Sequence, residues 1–338
     1  MTVFSRSRID QTTGSGETVT AVAPVIVSAS RSTDIPAFHA EWFMDRLKAG
    51  YAVWKNPFNQ RPQYVSFANT RVIVFWTKNP APLLPYLPRI EELGLNSYFQ
   101  YTVNDYESEG WEPNVPSLAK RLDTFAELSE RIGPERVIWR FDPLLLTDRV
   151  TEQVLADKVA RAGERLAPLT SKLVFSFADI VGYRKVRSNL PKAEIPYREF
   201  TPEIMHSLAG RIAGLCRSWN IEAATCGEKI DLSDLGIARN RCIDGDLMRR
   251  AFPHDRALQR FLTPKTSQGM MSMPGINPAW QDRLKDKGQR RECGCIVSKD
   301  IGAYNTCLHL CTYCYANTSE AAVRNNLTNK QIGSEGIV

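Results

Sequence analysis

The sequence lacks the marks of several large function classes. It has no apolar run of the roughly 18 residues that a membrane span needs. Its first 22 residues, rich in Ser, Thr and Gly, carry no basic start leading into an apolar core, so neither a signal peptide nor a membrane anchor is expected and the cytoplasm is the natural setting. No Gly-x-Gly-x-x-Gly follows the first apolar strand and no phosphate-cradling glycine loop occurs, which argues against dinucleotide and nucleoside-triphosphate sites. Histidine is scarce: His39, His206, His254 and His309 are the only four, and none is in zinc-protease spacing. With no Gly-x-Ser-x-Gly elbow and no Ser, His and Asp set either, hydrolase chemistry has little to stand on.

What is present fits an ordinary globular chain of 338 residues, 43% hydrophobic and 24% charged. The net charge of +6 permits an acidic partner such as nucleic acid without demanding one, because surplus Lys and Arg usually form a solvated surface. The Lys-Asn-Pro at 55–57 recurs at 78–80, too short an echo to be a structural repeat.

Hydrophobic periodicity lays out about six alternating strand and helix units. Strands are expected at 25–29, 71–76, 97–103, 136–141, 172–177 and 221–225, and less regular ones at 51–54 and 64–67. Helices are expected from Pro36 to Gly50, weakly from Pro82 to Leu93, and at 118–132, 151–166, 202–218 and 245–251. Most of these strands are continuous apolar runs, as when both faces of a parallel sheet are covered. The expected fold is therefore α/β, a partial or closed β/α barrel (TIM barrel) of about six units with a Cys-rich C-terminal segment, and the doubly wound sheet is the alternative. The chain divides into a flexible N-terminus at 1–22, a barrel core at 23–228, a helical and loop extension at 229–292 with a loop-like Gly269–Pro278 tract, and a cluster segment at 293–338 packed on the barrel.

Polar residues fall just beyond successive strands, where β/α folds place their chemistry. Arg31, Lys78, Arg140, Asp142 and Glu228 are the candidate catalytic groups, and Asp34, Asn79 and Asp105 the candidate cofactor contacts; Asn104 and Asp179 lie on the same rim. Asp34 and Asp179 also read as helix caps or loop charges. In Trp139-Arg140-Phe141-Asp142-Pro143 a cation inside an apolar strand needs a partner, and the two-residue period puts Asp142 on its side, so a structural pair and a catalytic pair both remain open.

Five of the eight cysteines lie within 22 residues. Such clustering without an export signal more often means metal than disulfides. The spacing Cys307-x-x-x-Cys311-x-x-Cys314, with Tyr313 before the last thiol, resembles the radical S-adenosylmethionine (radical SAM) signature. That resemblance implies a 4Fe-4S cluster on Cys307, Cys311 and Cys314, with S-adenosylmethionine on the fourth iron, and reductive cleavage of that cofactor followed by hydrogen abstraction from a substrate. It also implies a reductant such as flavodoxin or ferredoxin, and a β/α barrel core. Radical SAM enzymes usually carry this motif after the first strand, and a Gly-Gly-Glu-like segment at the second; here the motif is C-terminal and the second segment is missing. The tail must then fold back over the rim that bears Arg31, Arg140 and Glu228. Taken together, Ser30-Arg31-Ser32-Thr33-Asp34-Ile35-Pro36, Arg140-Phe141-Asp142-Pro143 and the Cys-rich segment resemble, over nearly the whole chain, a bacterial family catalogued as a domain of unknown function with C-terminal cysteines like those of radical SAM proteins.

Of the other thiols, Cys216 sits among Ile212, Ala213 and Leu215 on a helical face and reads as a small core residue. Cys226, Cys242, Cys293 and Cys295 suffice for a second Fe-S cluster or a structural zinc, although Cys226 and Cys242 also read as ordinary core thiols. Lys285, Lys287, Arg290 and Arg291 form a basic approach to Cys293. His309, between two motif cysteines, is expected to point away from the metal. The expected function is a radical SAM-like enzyme acting on a small-molecule or nucleic-acid substrate. The competing expectation is a structural zinc or Fe-S protein that binds nucleic acid or another acidic ligand.

Overall fold

The computed structural model describes residues 7–263, 284–328 and 333–338. The Gly269–Pro278 tract lies outside them. The chain opens with two short strands, β1 (Arg8–Thr12) and β2 (Thr18–Val22), paired antiparallel around a turn at Gly16. This differs from the flexible N-terminus expected of a Ser/Thr/Gly-rich stretch: the period-two alternation of Thr18-Val19-Thr20-Ala21-Val22 gives the segment one face to bury. β3 (Ile26–Ala29), α1 (Ile35–Phe38) and α2 (Ala40–Ala49) follow, then β4 (Tyr51–Lys55) and β5 (Pro62–Ser66), which join β1 and β2 in a four-stranded sheet ordered β1-β2-β5-β4. The C-terminal end returns to this sheet, where Val53 N–H donates to Glu335 O at 2.8 Å.

The larger sheet is built from β3, β6 (Val72–Thr77), β7 (Asn96–Thr102), β8 (Val137–Leu144), β10 (Lys172–Phe177) and β12 (Glu222–Thr225), flanked by the two-residue strands β13 (Ala238–Arg239) and β14 (Lys299–Asp300). Its order is β13-β12-β10-β8-β7-β6-β3-β14, and every pairing is parallel. The six main strands thus lie side by side in chain order, with no reversal of the kind that marks a doubly wound sheet. Among the described residues no pairing joins β13 to β14. A small ladder of β9 (Leu146–Thr147) and β11 (Tyr197–Arg198) stands apart.

The helices follow from their sequences. α3 (Leu87–Glu92) is confined by its prolines, α4 (Leu118–Ile132) is capped by Ser117, α5 (Glu152–Leu166) by Thr151, and α7 (Pro202–Trp219) by Thr201 with Pro at its first position. α6 (Arg184–Lys192), rich in Lys and Arg with Pro191 in its last turn, buries only Val186 and Leu190, too short an apolar period to read from sequence. α8 (Gly245–Ala251) and α9 (Arg256–Leu262) are capped by Asp244 and Asp255, and α10 (Glu320–Thr328) ends the described helices. Among the described residues no helix is long and apolar enough to cross a membrane.

Strand alternation separates the two faces of the large sheet. Ile73, Phe75, Phe99, Trp139, Phe141, Leu173 and Phe175 pack with the apolar faces of α2, α4, α5 and α7 in the main core. The opposite face carries Val72, Val74, Tyr98, Ile138, Val174 and Ala224, covered by Ile243, Met248, Leu258 and Ile296. Toward the strand C-termini this second face turns polar, because Gln100, Arg140, Asp142, Ser176 and Cys226 occupy the same period-two positions.

Candidate functional site

Parallel pairing puts all the strand C-termini at one edge of the sheet, and the three-cysteine segment docks there. Tyr313 is buried and its hydroxyl donates to Glu112, accepts from Asn104 Nδ2 at 3.0 Å and lies 3.2 Å from Lys78 Nζ. Lys78, just after β6, also pairs with Glu112 at 2.6 Å, and Arg121 stands 3.6 Å from the other Glu112 oxygen. Burial pulls the Glu112 carboxyl upward, but Lys78, Arg121 and the Tyr313 hydroxyl outweigh it and hold the group below the usual carboxylate range. Asp34 caps α1 through Ala37 N–H at 3.0 Å, accepts from Lys78 N–H at 2.7 Å and meets His309 Nε2 at 2.8 Å. Tyr315 donates its hydroxyl to Arg31 O, and Lys185 Nζ donates to Ala316 O at 3.0 Å. Elements following β3, β6, β7 and β10 therefore all grip the segment.

The three thiols lie within electrostatic range of one another, Cys307 of both partners and Cys311 of Cys314. Burial pushes all three upward. Cys314 Sγ accepts from Ala316 N–H at 3.3 Å and Asn317 N–H at 3.4 Å, and the charge of Lys185 faces it. Lys78 faces Cys311. The loop holds Asn305 at φ +56° and Leu310 at φ +54°, a left-handed backbone that suits Asn and is uncommon for Leu. Buried Asn317 Oδ1 has no hydrogen-bond partner among the described residues.

The remaining rim residues divide into two groups. Arg140 is buried and bonds Asp142 Oδ2, Gln100 Oε1 at 3.1 Å and Cys242 Sγ at 3.1 Å. Asp142 also accepts from Ser176 Oγ, and its N–H donates to Asn104 Oδ1 at 2.9 Å. Burial opposes ionisation of Asp142, yet Arg140 and Ser176 keep its carboxyl below the usual range. Glu228 accepts from Phe177 N–H at 2.9 Å, and burial lifts its pKa to about 7. Arg31 spreads its guanidinium over Trp76 at 5.1 Å, and its buried Nη2 meets no hydrogen-bond partner among the described residues. In the second group, Asn79 closes its own turn on Ala81 N–H at 3.3 Å, and Asp179 does so on Gly182 N–H at 2.8 Å. Asp105 pairs at 2.8 Å with Arg161 on α5. These three are engaged in local structure, and among the described residues no hydrogen bond or ion pair joins them to the cysteine segment.

Sequence reasoning missed Glu112. It lies in the irregular stretch between β7 and α4, where no period marks it, and only Trp111 beside it hinted at burial. Lys185 was missed with α6. Cys216 is buried on α7, as its apolar neighbours imply.

The family profile described as Domain of unknown function (DUF1848) matches residues 26–316, from β3 to just past the third motif cysteine. The chain belongs to this family. No curated protein and no solved structure matches it. The matched span takes in the whole large sheet and leaves β1 and β2 outside.

Among the described residues no three or more His, Cys, Asp and Glu side chains converge to hold a metal ion. A single ion needs such convergence, whereas a 4Fe-4S cluster takes each thiolate on a different iron. Three soft donors that sense one another's charge, backed by two lysines and two backbone N–H groups aimed at a sulfur, have the chemistry that a cluster needs.

Proposed function

We propose that the protein is a radical SAM-like iron-sulfur enzyme, in which Cys307, Cys311 and Cys314 hold a 4Fe-4S cluster over the C-terminal edge of a sheet that curls as a partial β/α barrel. The observation that carries the proposal is the docking of the motif on the strand ends: Tyr313 and His309 tie it to Lys78, Asn104, Glu112 and Asp34, on the edge that also bears Asp142 and Glu228. When bound, the cluster and S-adenosylmethionine supply one-electron reductive cleavage of the sulfonium and hydrogen abstraction from a substrate, with electrons from a flavodoxin- or ferredoxin-type donor.

The chain's own residues do the rest. Lys78 and Lys185 offset the negative charge of the thiolates. Lys78 joins the docking network through Glu112 and Tyr313. Asp142, fixed by Arg140 and Ser176, is an ionised acceptor for a donor group on the substrate. Glu228, with a pKa of about 7, can give or take a proton near neutrality. Arg31, with a buried nitrogen that has no partner among the described residues, is available to an anionic or carbonyl group.

Anaerobic reconstitution with iron and sulfide, followed by dithionite and S-adenosylmethionine, tests the proposal. The expected product is 5′-deoxyadenosine, lost in Cys311→Ser. A fully loaded cluster that yields none contradicts the proposal, as does zinc without iron or acid-labile sulfide on these three thiols.

A further inference from the structure

Two aromatic rings stay open to solvent beside the cysteine segment, Tyr304 with 41% and Tyr315 with 45% of its surface exposed. The Tyr315 ring packs on Tyr183 at 5.6 Å, the Arg290 guanidinium covers Tyr183 at 4.9 Å, and Lys185 Nζ stands 5.1 Å from the centre of the Tyr304 ring. Lys185 also donates to Ala316 O, which accepts from Asn305 N–H at 3.3 Å, so both tyrosines belong to one patch. The Tyr315 hydroxyl is fixed on Arg31 O, which holds its ring in place.

Cations frame these rings. α6 carries Arg184, Lys185, Arg187 and Lys192 and no acidic residue, and it lies along the segment through Asn189 Nδ2, 3.5 Å from Asn317 O. Among the described residues none of these four, nor Arg290, is in an ion pair. Asp179 and Glu199, near the start of α6, are turned to the backbone N–H groups of Gly182 and Val181.

We propose that this surface binds single-stranded nucleic acid, with unpaired bases stacked on Tyr304 and Tyr315 and phosphates met by Arg184, Arg187 and Arg290. A single strand offers a π face and a negative charge with every nucleotide, which matches open rings interleaved with cations. A duplex keeps its bases inside the stack, out of reach of the rings. An acidic protein surface would satisfy the cations and leave the rings without a partner. The net charge of +6 agrees in sign. Placement agrees as well: Tyr315 follows Cys314, while Arg290 Nη1 lies 3.5 Å from where a Cβ on Gly227 would stand, one residue before Glu228. A strand on the patch therefore passes between the three-cysteine segment and Glu228. That the bound strand is also the substrate rests on the radical SAM-like reading; that it binds does not.

Fluorescence anisotropy of the full chain with labelled oligothymidylate of about 20 nucleotides tests the proposal. Binding is expected with a Kd of about 1–100 μM, weakening steeply as salt rises. The same strand paired with oligoadenylate should bind at least about tenfold more weakly, and oligouridylate shows whether RNA serves as well as DNA. Tyr304→Ala should weaken binding about 5- to 150-fold, the loss of one stacked base, whereas Tyr304→Phe keeps it. Arg184→Gln/Arg187→Gln should lower the slope of log K against log salt by about 1.4, two phosphate contacts' worth. Photocrosslinking of a 5-iodouracil strand to the wild type, mapped by mass, should mark Tyr304 or Tyr315 and needs no substitution. Equal affinity for the duplex, wild-type affinity in a folded Tyr304→Ala, adducts only elsewhere, or polyglutamate that competes as well as the oligonucleotide overturns the proposal. Strand binding without 5′-deoxyadenosine formation would fell the enzyme reading alone, and 5′-deoxyadenosine formation without strand binding would fell this one alone.

Discussion

The imidazole Nε2 of His309 stands 2.8 Å from Asp34 Oδ2, so the histidine inside the cysteine motif is bonded to the carboxylate that caps the first helix of the sheet. Both groups are buried. His309 thus anchors the motif to the rim.

His309→Ala should cost about 1–3 kcal/mol, the usual penalty for stranding a buried polar partner. Amide exchange across 307–315 should quicken, while iron bound after reconstitution stays near the wild-type amount. Complete loss of iron with intact folding would instead make His309 a ligand.

Glu112 faces two cations, half-buried Lys78 and buried Arg121. Glu112→Gln leaves both uncompensated and should destabilise by about 3–5 kcal/mol. The sign of the pH dependence follows from the depressed carboxyl. Its stabilisation is complete above the ordinary value of 4.5 and is lost as pH falls through the lower folded value. Urea unfolding should therefore show a wild-type advantage that holds from neutral pH down to about 4.5 and closes below it. An advantage that persists unchanged in stronger acid would remove Glu112 as its source.

Gly302 lets the tail lie against the turn after β3: a Cβ there would come within 1.9 Å of Ser30 Oγ and 2.5 Å of Ser30 Cβ. Gly302→Ala should cost about 1–3 kcal/mol by overpacking and loosen residues 299–316 in hydrogen exchange. Adding Ser30→Gly removes the obstructing side chain and should restore much of the loss, a coupling expected only of residues in contact. Strictly additive effects would mean that the two do not touch.

The fold was legible where burial imposes a period. Continuous apolar strands such as Val72–Thr77 and amphipathic helices such as Leu118–Ile132 were readable because each buries a defined face. The N-terminal hairpin and α6 were not, the first because its Ser/Thr/Gly content resembles linker, the second because charge and Pro191 hide its helical face. Much of the rim could be named in advance, since parallel strands deliver their following residues to one edge. What each rim residue does there could not be, because Glu112 and Tyr313 recruit Lys78 across long sequence separations that no local pattern encodes. Arg140 is a case of two readings merging: it pairs with Asp142, as the strand period implied, and also touches Cys242, which only the fold brings near.

The central claim is a cluster on Cys307, Cys311 and Cys314 with one iron open to S-adenosylmethionine. Electron paramagnetic resonance of the reconstituted, dithionite-reduced protein, recorded with and without S-adenosylmethionine, tests it most directly. The account predicts a reduced-cluster signal that shifts on addition of the cofactor and is absent from the Cys307→Ser/Cys311→Ser/Cys314→Ser variant. A signal indifferent to S-adenosylmethionine, or one that survives loss of the three thiols, would contradict it.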